Sequence, residues 1–144
     1  HAGFIGHSYI GSWVNLGADT NNSDLKNNYS KIKIKLSNKE VDTGSQFLGL
    51  MIGDHSKSSI NTMFNTGTVV GFSCNIFGTG FPEKYVPSFT WGGDNSSKVY
   101  DIKKAIETAK IVTSRRKIDF EKKDELMFNA IFELTKNDRE KRGY

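Results

Sequence analysis

An apolar residue recurs at every sixth position in two stretches of the chain, residues 4–21 and 52–81. In blocks of six, the first stretch reads FIGHSY, IGSWVN and LGADTN, and the second stretch resumes the same phase at Ile52. Neither an α-helix nor a half-buried strand has a period of six, so the pattern predicts a different repeating element. The first positions of the blocks are Phe4, Ile10, Leu16, Ile52, Ser58, Phe64, Val70 and Ile76, and only Ser58 is polar.

Two other positions of the block are also restricted. Six residues can form one short strand and one sharp turn, so three blocks would close a triangular coil, and coils would stack as parallel strands about 4.8 Å apart. We therefore predict a mainly β fold, a parallel β-helix, with first positions inside, small fifth positions near the corners and glycine forming the turns. The fifth positions are Ser8, Val14, Thr20, Ser56, Thr62, Thr68, Cys74 and Gly80, and the second-position glycines are Gly11, Gly17, Gly53 and Gly71.

The six-residue pattern is interrupted by a polar segment, for which we predict a long excursion over about residues 21–47. Within it, KIKIKL at residues 31–36 alternates as an exposed strand does. Long loops on rigid scaffolds are often functional. The alternative is a charged strand that shields a sheet edge.

A helical pattern replaces the six-residue pattern towards the C-terminus, which divides the chain into a predicted β-helix domain, 1–97, and a helical cap, 98–144. Residues 101–112 and about 119–135 carry apolar side chains at helical spacing. Asp101 and Asp119 are predicted to begin the two helices. The predicted apolar face of the second helix contains Leu126, Met127, Ala130, Ile131 and Leu134.

Composition narrows the functional classes. The chain is 36% hydrophobic and 25% charged, as expected for a globular protein, and no apolar run is long enough to span a membrane. The single cysteine, Cys74, is compatible with a cytoplasmic location and is predicted to be a core residue. The net charge of +4 lies entirely in residues 98–144 and is too sparse to predict nucleic-acid binding. His7 and His55 fall at fourth positions, where we expect exposure, and no metal site is predicted.

The motif H-x-x-F-I-G-x-x-x-I-G-x-x-V-N-L-G-A-x-T at residues 1–20, the NNY at 27–29 and the IGD at 52–54 resemble the left-handed β-helix acyltransferases. They are most similar to the acetyltransferase half of bifunctional N-acetylglucosamine-1-phosphate uridyltransferase/glucosamine-1-phosphate acetyltransferases. NTMFNTGTVVG at 61–71 and PSFTWGG at 87–93 are similar to a divergent branch of sugar nucleotidyltransferases. The resemblance implies a left-handed coil, a homotrimer, a cytoplasmic location and a role in UDP-N-acetylglucosamine and cell-envelope biosynthesis.

The resemblance also implies site residues for acetyl transfer from acetyl-CoA to an amino-sugar phosphate such as glucosamine-1-phosphate. Position by position, His1 corresponds to the catalytic base, a role that suits an imidazole near neutral pH. Phe4 replaces a tyrosine that contacts the sugar phosphate, so one hydroxyl donor is lost. Arg115 and Arg116, between the predicted helices, are candidates for contact with cofactor phosphates. The remaining expected contacts are Asn15, Asn28, Tyr29, Lys33 and Lys35 for the substrate and the Ala18 backbone for the cofactor.

Two functions therefore stay open. The first is an acetyl-CoA-dependent acyltransferase domain. The second is a non-catalytic trimerisation module of a sugar-1-phosphate nucleotidyltransferase, which the loss of the hydroxyl at Phe4 favours. Because the chain opens inside a repeat, we expect further coils and a nucleotidyltransferase domain upstream.

Overall fold

The computed structural model describes residues 1–144 and contains thirteen strands and three helices. The strands are β1 Tyr9–Ile10, β2 Asn15–Leu16, β3 Asn21–Asn22, β4 Lys33–Leu36, β5 Lys39–Asp42, β6 Met51–Ile52, β7 Lys57–Ser58, β8 Met63–Phe64, β9 Val69–Val70, β10 Asn75–Ile76, β11 Tyr85–Val86, β12 Thr90–Trp91 and β13 Lys98–Val99. The helices are α1 Ile102–Ser114, α2 Lys122–Leu134 and α3 Lys136–Glu140. No helix is both long enough and apolar enough to cross a bilayer.

The short strands stack in parallel with the spacing that the six-residue pattern predicts. Met51 pairs with Val69, and Lys57 pairs with Asn75, each 18 residues further along the chain. The parallel strands form three ladders, β1-β6-β9-β11, β2-β7-β10-β12 with β13 added antiparallel, and β3-β8, and β4 pairs separately with β5. The structure is thus mainly β with parallel sheets and is compatible with a β-helix. The left hand of the coil stays a prediction from the resemblance.

The segment predicted as an excursion contains the antiparallel hairpin of β4 and β5, in which Lys33 faces Asp42. Its strand β4 is largely exposed, as the alternation of KIKIKL predicts. Ile32, just before β4, is fully buried and packs close to Gly67 of the coil. The hairpin is therefore attached to the coil by an apolar contact as well as by its chain ends.

The interior of the coil is filled mainly by first-position side chains. Ile52, Phe64, Val70 and Ile76 are at most 2% exposed. The polar exception, Ser58, is also buried, and its Oγ lies 2.8 Å from Oγ1 of the buried Thr20. A hydrogen-bonded pair thus replaces an apolar side chain at this level of the coil.

Two first-position side chains of the first coil are more exposed than predicted. Phe4 is 53% exposed and Ile10 is 39% exposed, although both occupy first positions. Strand β1, which ends at Ile10, is the outermost strand of its ladder and pairs only with β6, and Phe4 bridges only to Asn21 at the outer end of the β3-β8 ladder. These side chains therefore have a stacked neighbour on one side only. At the other end the eighth block also leaves the pattern, because Gly80 lies in an exposed loop.

The role predicted for the second-position glycines is wrong. The left-handed backbone of the turns falls at the fourth position, and the residues there include His55, Asn61 and Ser73, with φ of 62°, 57° and 51°. The second-position glycines are required for a steric reason instead. A Cβ at Gly71 would lie 2.4 Å from the Ser88 nitrogen of the next coil. Glycine thus permits close stacking of coils rather than the turn itself.

The helices pack on one corner of the coil through a second apolar cluster. Phe128 of α2 is fully buried and lies with Ala105, Ile106 and Ala109 of α1 against Phe89. The Asp101 carboxylate accepts a hydrogen bond from the Lys104 nitrogen at 3.0 Å, which confirms it as the start of α1.

The start predicted for the second helix is wrong, because α2 is capped at Glu121, whose N–H donates to Asp124, and not at Asp119. The predicted apolar face is also wrong in part. Leu126 is 59% exposed and Leu134 is 82% exposed. The face that packs is rotated towards Phe128, Ile131 and Phe132.

Candidate functional site

A cleft of about 490 Å³ lies between the second ladder of strands and the C-terminal end of α1. We call it the basic cleft. In the ladder, Asn15 of β2 pairs with Lys57 of β7, so the two side chains are neighbours. Helix α1 ends at Ser114, which places Arg115 and Arg116 beside them. The lining residues are Trp13, Val14, Asn15, Lys57, Val112, Arg115 and Arg116.

The basic cleft is suited to an anion. Three of its side chains, Lys57, Arg115 and Arg116, are cationic, and no acidic side chain lines it. Burial lowers the pKa of Lys57, whose Nζ donates to the His55 carbonyl oxygen at 2.8 Å. Arginine and lysine side chains bind phosphate through charge-assisted hydrogen bonds. The cleft therefore offers a cluster of donors that a phosphate group would match.

Three of the sequence-predicted site residues meet in the basic cleft. Asn15, predicted to contact the sugar, lies in the same cleft as Arg115 and Arg116, predicted to contact cofactor phosphates. Asn15 lies 100 residues before Arg115 in the chain. Packing of α1 along the coil is what joins them.

His1, Phe4 and Ala18 lie at the next corner of the first coil and do not line the basic cleft. The Asp19 nitrogen donates to the Ala2 carbonyl at 2.9 Å, which holds the N-terminal segment beside that corner. The Ala18 carbonyl accepts from the Asn61 nitrogen at 2.9 Å, and the His1 side chain is exposed.

The remaining predicted substrate contacts belong to the segment between the first and second coils, and they are exposed. Tyr29 is 65% exposed with φ of 57°, and Asn28 accepts a hydrogen bond from the Ser30 nitrogen. Lys33 forms an ion pair with Glu40 at 3.0 Å, and Lys35 lines a separate cleft near Asp138. None of the four lines the basic cleft.

Lys57 and Trp13 line the basic cleft without having been predicted as site residues. The signal for Lys57 is in the sequence, because Asn15 and Lys57 both occupy the sixth position of a block. Residues at the same position of successive coils stack directly, so a contact predicted at Asn15 extends to its ladder neighbours. Trp13 precedes Asn15 at the fourth position, where the chain turns.

The exposure predicted for His55 is wrong. It is 6% exposed and lies among aromatic rings, 5.0 Å from Phe128 and 6.2 Å from Trp13 between centroids. Helix α2 covers this corner of the coil, which a block count alone does not reveal. Burial, reinforced by Lys57 and opposed by Asp54 and Asp124, lowers the pKa of His55 to about 4. Its ring is therefore neutral near pH 7. The prediction of exposure holds for His7, which contacts Asp24 at 2.8 Å.

Cys74 is fully buried in the coil interior, as predicted. Burial raises the pKa of its thiol to about 11, against the smaller opposing effect of hydrogen bonds from the surrounding coil. A protonated, buried thiol is a poor nucleophile. Cys74 is therefore a packing residue.

Comparison with known proteins bears on this geometry. No protein-family model matches the chain. The chain is 30% identical over 77 residues to a bifunctional sugar-1-phosphate nucleotidylyltransferase/acetyltransferase of Sulfurisphaera tokodaii, a match that covers 54% of this chain and 19% of the relative. It is 32% identical over 76 residues to the bifunctional protein GlmU of Methanocaldococcus jannaschii, covering 53% and 18%.

The chain thus spans about a fifth of the length of these curated relatives. Both relatives are named as bifunctional proteins, the kind of protein that the motifs at residues 1–20, 27–29 and 52–54 are predicted to resemble. The similarity of this chain to bifunctional sugar-1-phosphate nucleotidyltransferase/acetyltransferases is therefore confirmed over about half of its length.

Proposed function

We propose that this chain is an acyltransferase domain that transfers an acetyl group from acetyl-CoA to an amino-sugar phosphate such as glucosamine-1-phosphate. The observation that carries the proposal is the basic cleft, in which Asn15 lies beside Lys57, Arg115 and Arg116. Both proposed substrates carry phosphate, and the similar proteins include one named as an acetyltransferase. An anion-binding cleft on such a chain fits this substrate class.

Each residue has a definite role in this proposal. Arg115 and Arg116 bind phosphates of the cofactor, the Ala18 backbone contacts it, and Asn15 contacts the sugar. The amine nitrogen of the sugar attacks the thioester carbonyl, the C–N bond of the amide forms, the C–S bond breaks, and CoA leaves as a thiolate that then takes up a proton. His1 accepts the proton that the amine loses, as a general base. Acetyl-CoA supplies the activated acyl group.

The exposed residues of the segment between the first two coils complete the site across a subunit boundary in this proposal. Asn28, Tyr29, Lys33 and Lys35 project from the coil rather than towards the basic cleft. In a homotrimer they would reach the site of a neighbouring subunit. The 65% exposure of Tyr29, a large aromatic side chain, supports a contact outside the single chain.

The proposal is tested by assaying CoA thiol release with acetyl-CoA and glucosamine-1-phosphate. Replacing Arg115 or Arg116 by alanine is expected to raise the KM for acetyl-CoA about five- to tenfold, since each loses one charge-assisted hydrogen bond. Lys103→Ala is the matched control, because Lys103 is an exposed cation of helix α1 outside the cleft. His1→Ala is expected to lower kcat by about 100-fold or more.

A different result supports the second function. Phe4 offers no hydroxyl to a sugar phosphate, which favours a non-catalytic trimerisation module. If the wild-type chain assembles as a trimer yet releases no thiol from acetyl-CoA in the presence of glucosamine-1-phosphate, the enzymatic proposal is wrong and the module is favoured. If Arg115→Ala had the same KM for acetyl-CoA as Lys103→Ala, the basic cleft would not be the site that binds the cofactor.

A further inference from the structure

Lys57 is the one cation of the basic cleft to which the proposed acetyl transfer gives no role. It lies in β7, between Asn15 of β2 and Asn75 of β10 in the same ladder. Its side chain is half-buried and lines the cleft together with Arg115 and Arg116. Lys57 belongs to none of the seven ion pairs of the structure. It is therefore an amine without a carboxylate partner in a site that is suited to an anion.

Two features make the amine of Lys57 a better nucleophile than that of an ordinary surface lysine. Burial lowers the pKa of Lys57, so a larger share of its side chain is neutral near pH 7. The Nζ also donates a hydrogen bond to the His55 carbonyl oxygen at 2.8 Å, which holds the end of the side chain in place. Desolvated, neutral lysine amines are nucleophiles towards carbonyl carbon atoms.

The basic cleft also accounts for the second reactant, a thioester. Acetyl-CoA carries phosphate groups, and Arg115 and Arg116 offer donors for them in the cleft that Lys57 lines. Binding there would hold the thioester near the amine at an effective concentration far above that in solution. The inference thus rests on the acetyl-CoA binding of the proposed function, but not on the sugar phosphate or on His1.

We propose that Lys57 is a site of self-acetylation by acetyl-CoA bound in the basic cleft. The neutral Nζ attacks the thioester carbonyl, the C–N bond of an amide forms, and the C–S bond breaks. The nitrogen loses one proton to solvent, and the departing CoA thiolate takes one up. The products are N-acetyllysine at position 57 and the thiol of CoA.

Acetylation would weaken the cleft for the molecule that modifies it, because N-acetyllysine carries no charge. The cleft would then keep two of its three cations, Arg115 and Arg116. Lys57→Gln copies this loss of charge and is expected to bind CoA about fivefold more weakly in a calorimetric titration. An unchanged affinity would show that Lys57 does not face the bound cofactor, and it would overturn the proposal.

Lys84 is a matched control within the same chain. It is half-buried, burial lowers its pKa, and its Nζ donates to a backbone carbonyl oxygen, that of Thr66. It does not line the basic cleft. A difference in acetylation between Lys57 and Lys84 therefore reports the contribution of the cleft and not the reactivity of the amine alone.

The test incubates the chain with acetyl-CoA at neutral pH, without sugar phosphate, and follows each lysine by peptide mass spectrometry. Lys57 is expected to be acetylated at least about tenfold faster than Lys84. S-acetyl-N-acetylcysteamine, a thioester that lacks phosphate, is the control donor and is expected to acetylate the two lysines at rates within about threefold of each other. Arg115→Ala is expected to slow the reaction of Lys57 with acetyl-CoA about fivefold and to leave Lys84 unchanged.

Equal rates at Lys57 and Lys84 with acetyl-CoA would overturn the proposal. The same preference for Lys57 with both donors would also overturn it, because the phosphates would then contribute nothing. The result is separable from that of the proposed function, whose thiol release requires glucosamine-1-phosphate. Selective acetylation of Lys57 without transfer to the sugar would support this inference alone, whereas transfer to the sugar without acetylation of Lys57 would overturn this inference alone.

Discussion

At the scale of single residues, two positions of the six-residue block are restricted for different reasons. The fourth position carries the left-handed backbone, and His55, Asn61 and Ser73 accept this conformation. The second position is limited by space, because the next coil lies within contact distance of Gly71. A sequence pattern shows that both positions are special, but it does not show which one forms the turn.

The buried His55 gives the chain a pH-dependent stability. Its pKa of about 4 in the folded chain lies below the ordinary value of 6.5, so the folded state binds fewer protons than the unfolded state. Its contribution is complete above pH 6.5 and is lost as the pH falls from 6.5 towards 4. We expect wild type to lose at most about 2 kcal/mol more of its free energy of unfolding than His55→Phe over this range, since solvent near this corner of the coil screens part of the effect.

Urea unfolding followed by circular dichroism at several pH values between 7 and 4 measures this difference. The comparison with His55→Phe removes the contribution of carboxylates, which both proteins share. Parallel pH curves for the two proteins would contradict the assignment of a neutral, buried imidazole to this corner.

At the scale of elements, coils are joined by parallel ladders of only two residues each, so close approach of the backbones decides their stability. Gly71→Ala is expected to lower the free energy of unfolding by about 1–3 kcal/mol, because its Cβ would meet backbone atoms of Ser88 at 2.4–2.7 Å. Gly53→Ala, at the same block position, is expected to cost less, since its nearest contact is 2.8 Å. Thermal or urea unfolding of both variants measures the order, and two neutral substitutions would contradict it.

The structure of an element was predictable from the sequence where it depends on nearby residues alone. Burial of first positions follows from the need to fill the coil, and Asp101 caps α1 with its own carboxylate. The start of α2 was not predictable in this way. Asp119 and Glu121 are both candidates for the capping position, and the hydrogen bond from the Glu121 nitrogen to the Asp124 carboxylate selects Glu121. The exposure of Ile10 depends on which coils stack beside it, which no periodicity specifies.

At the scale of the whole molecule, the basic cleft exists because α1 returns along the coil. Its N-terminal end follows Tyr100, which packs against Trp91 near the last coil, and its C-terminal end reaches Trp13 and Asn15 of the first. The sequence indicated Asn15 and Arg115 separately, from the resemblance. That they share one cleft depends on long-range packing of α1, which residue spacing does not encode.

The proposed homotrimer is a prediction at the same scale. Ile60 and Met63 are 67% and 42% exposed beside the β3-β8 ladder, and packing of three coils side by side would cover such side chains. Sedimentation velocity at micromolar concentration is expected to give three times the 16.1 kDa mass of one chain. Ile60→Lys is expected to shift the protein towards the monomer mass. Ile111→Lys changes a side chain on the exposed face of α1 and is expected to leave the trimer mass unchanged. A wild-type monomer would contradict the prediction.

The 18-residue offset between paired strands constrains how such a gene can change in length. An in-frame duplication of one full turn would lengthen the rod by one strand spacing, about 4.8 Å, and keep every side chain pointing in its original direction. A duplication of one six-residue block alone would move every later strand to the neighbouring side of the triangular coil. Evolution of this architecture is therefore expected to proceed in whole turns, with irregular additions such as the β4–β5 hairpin confined to the bends.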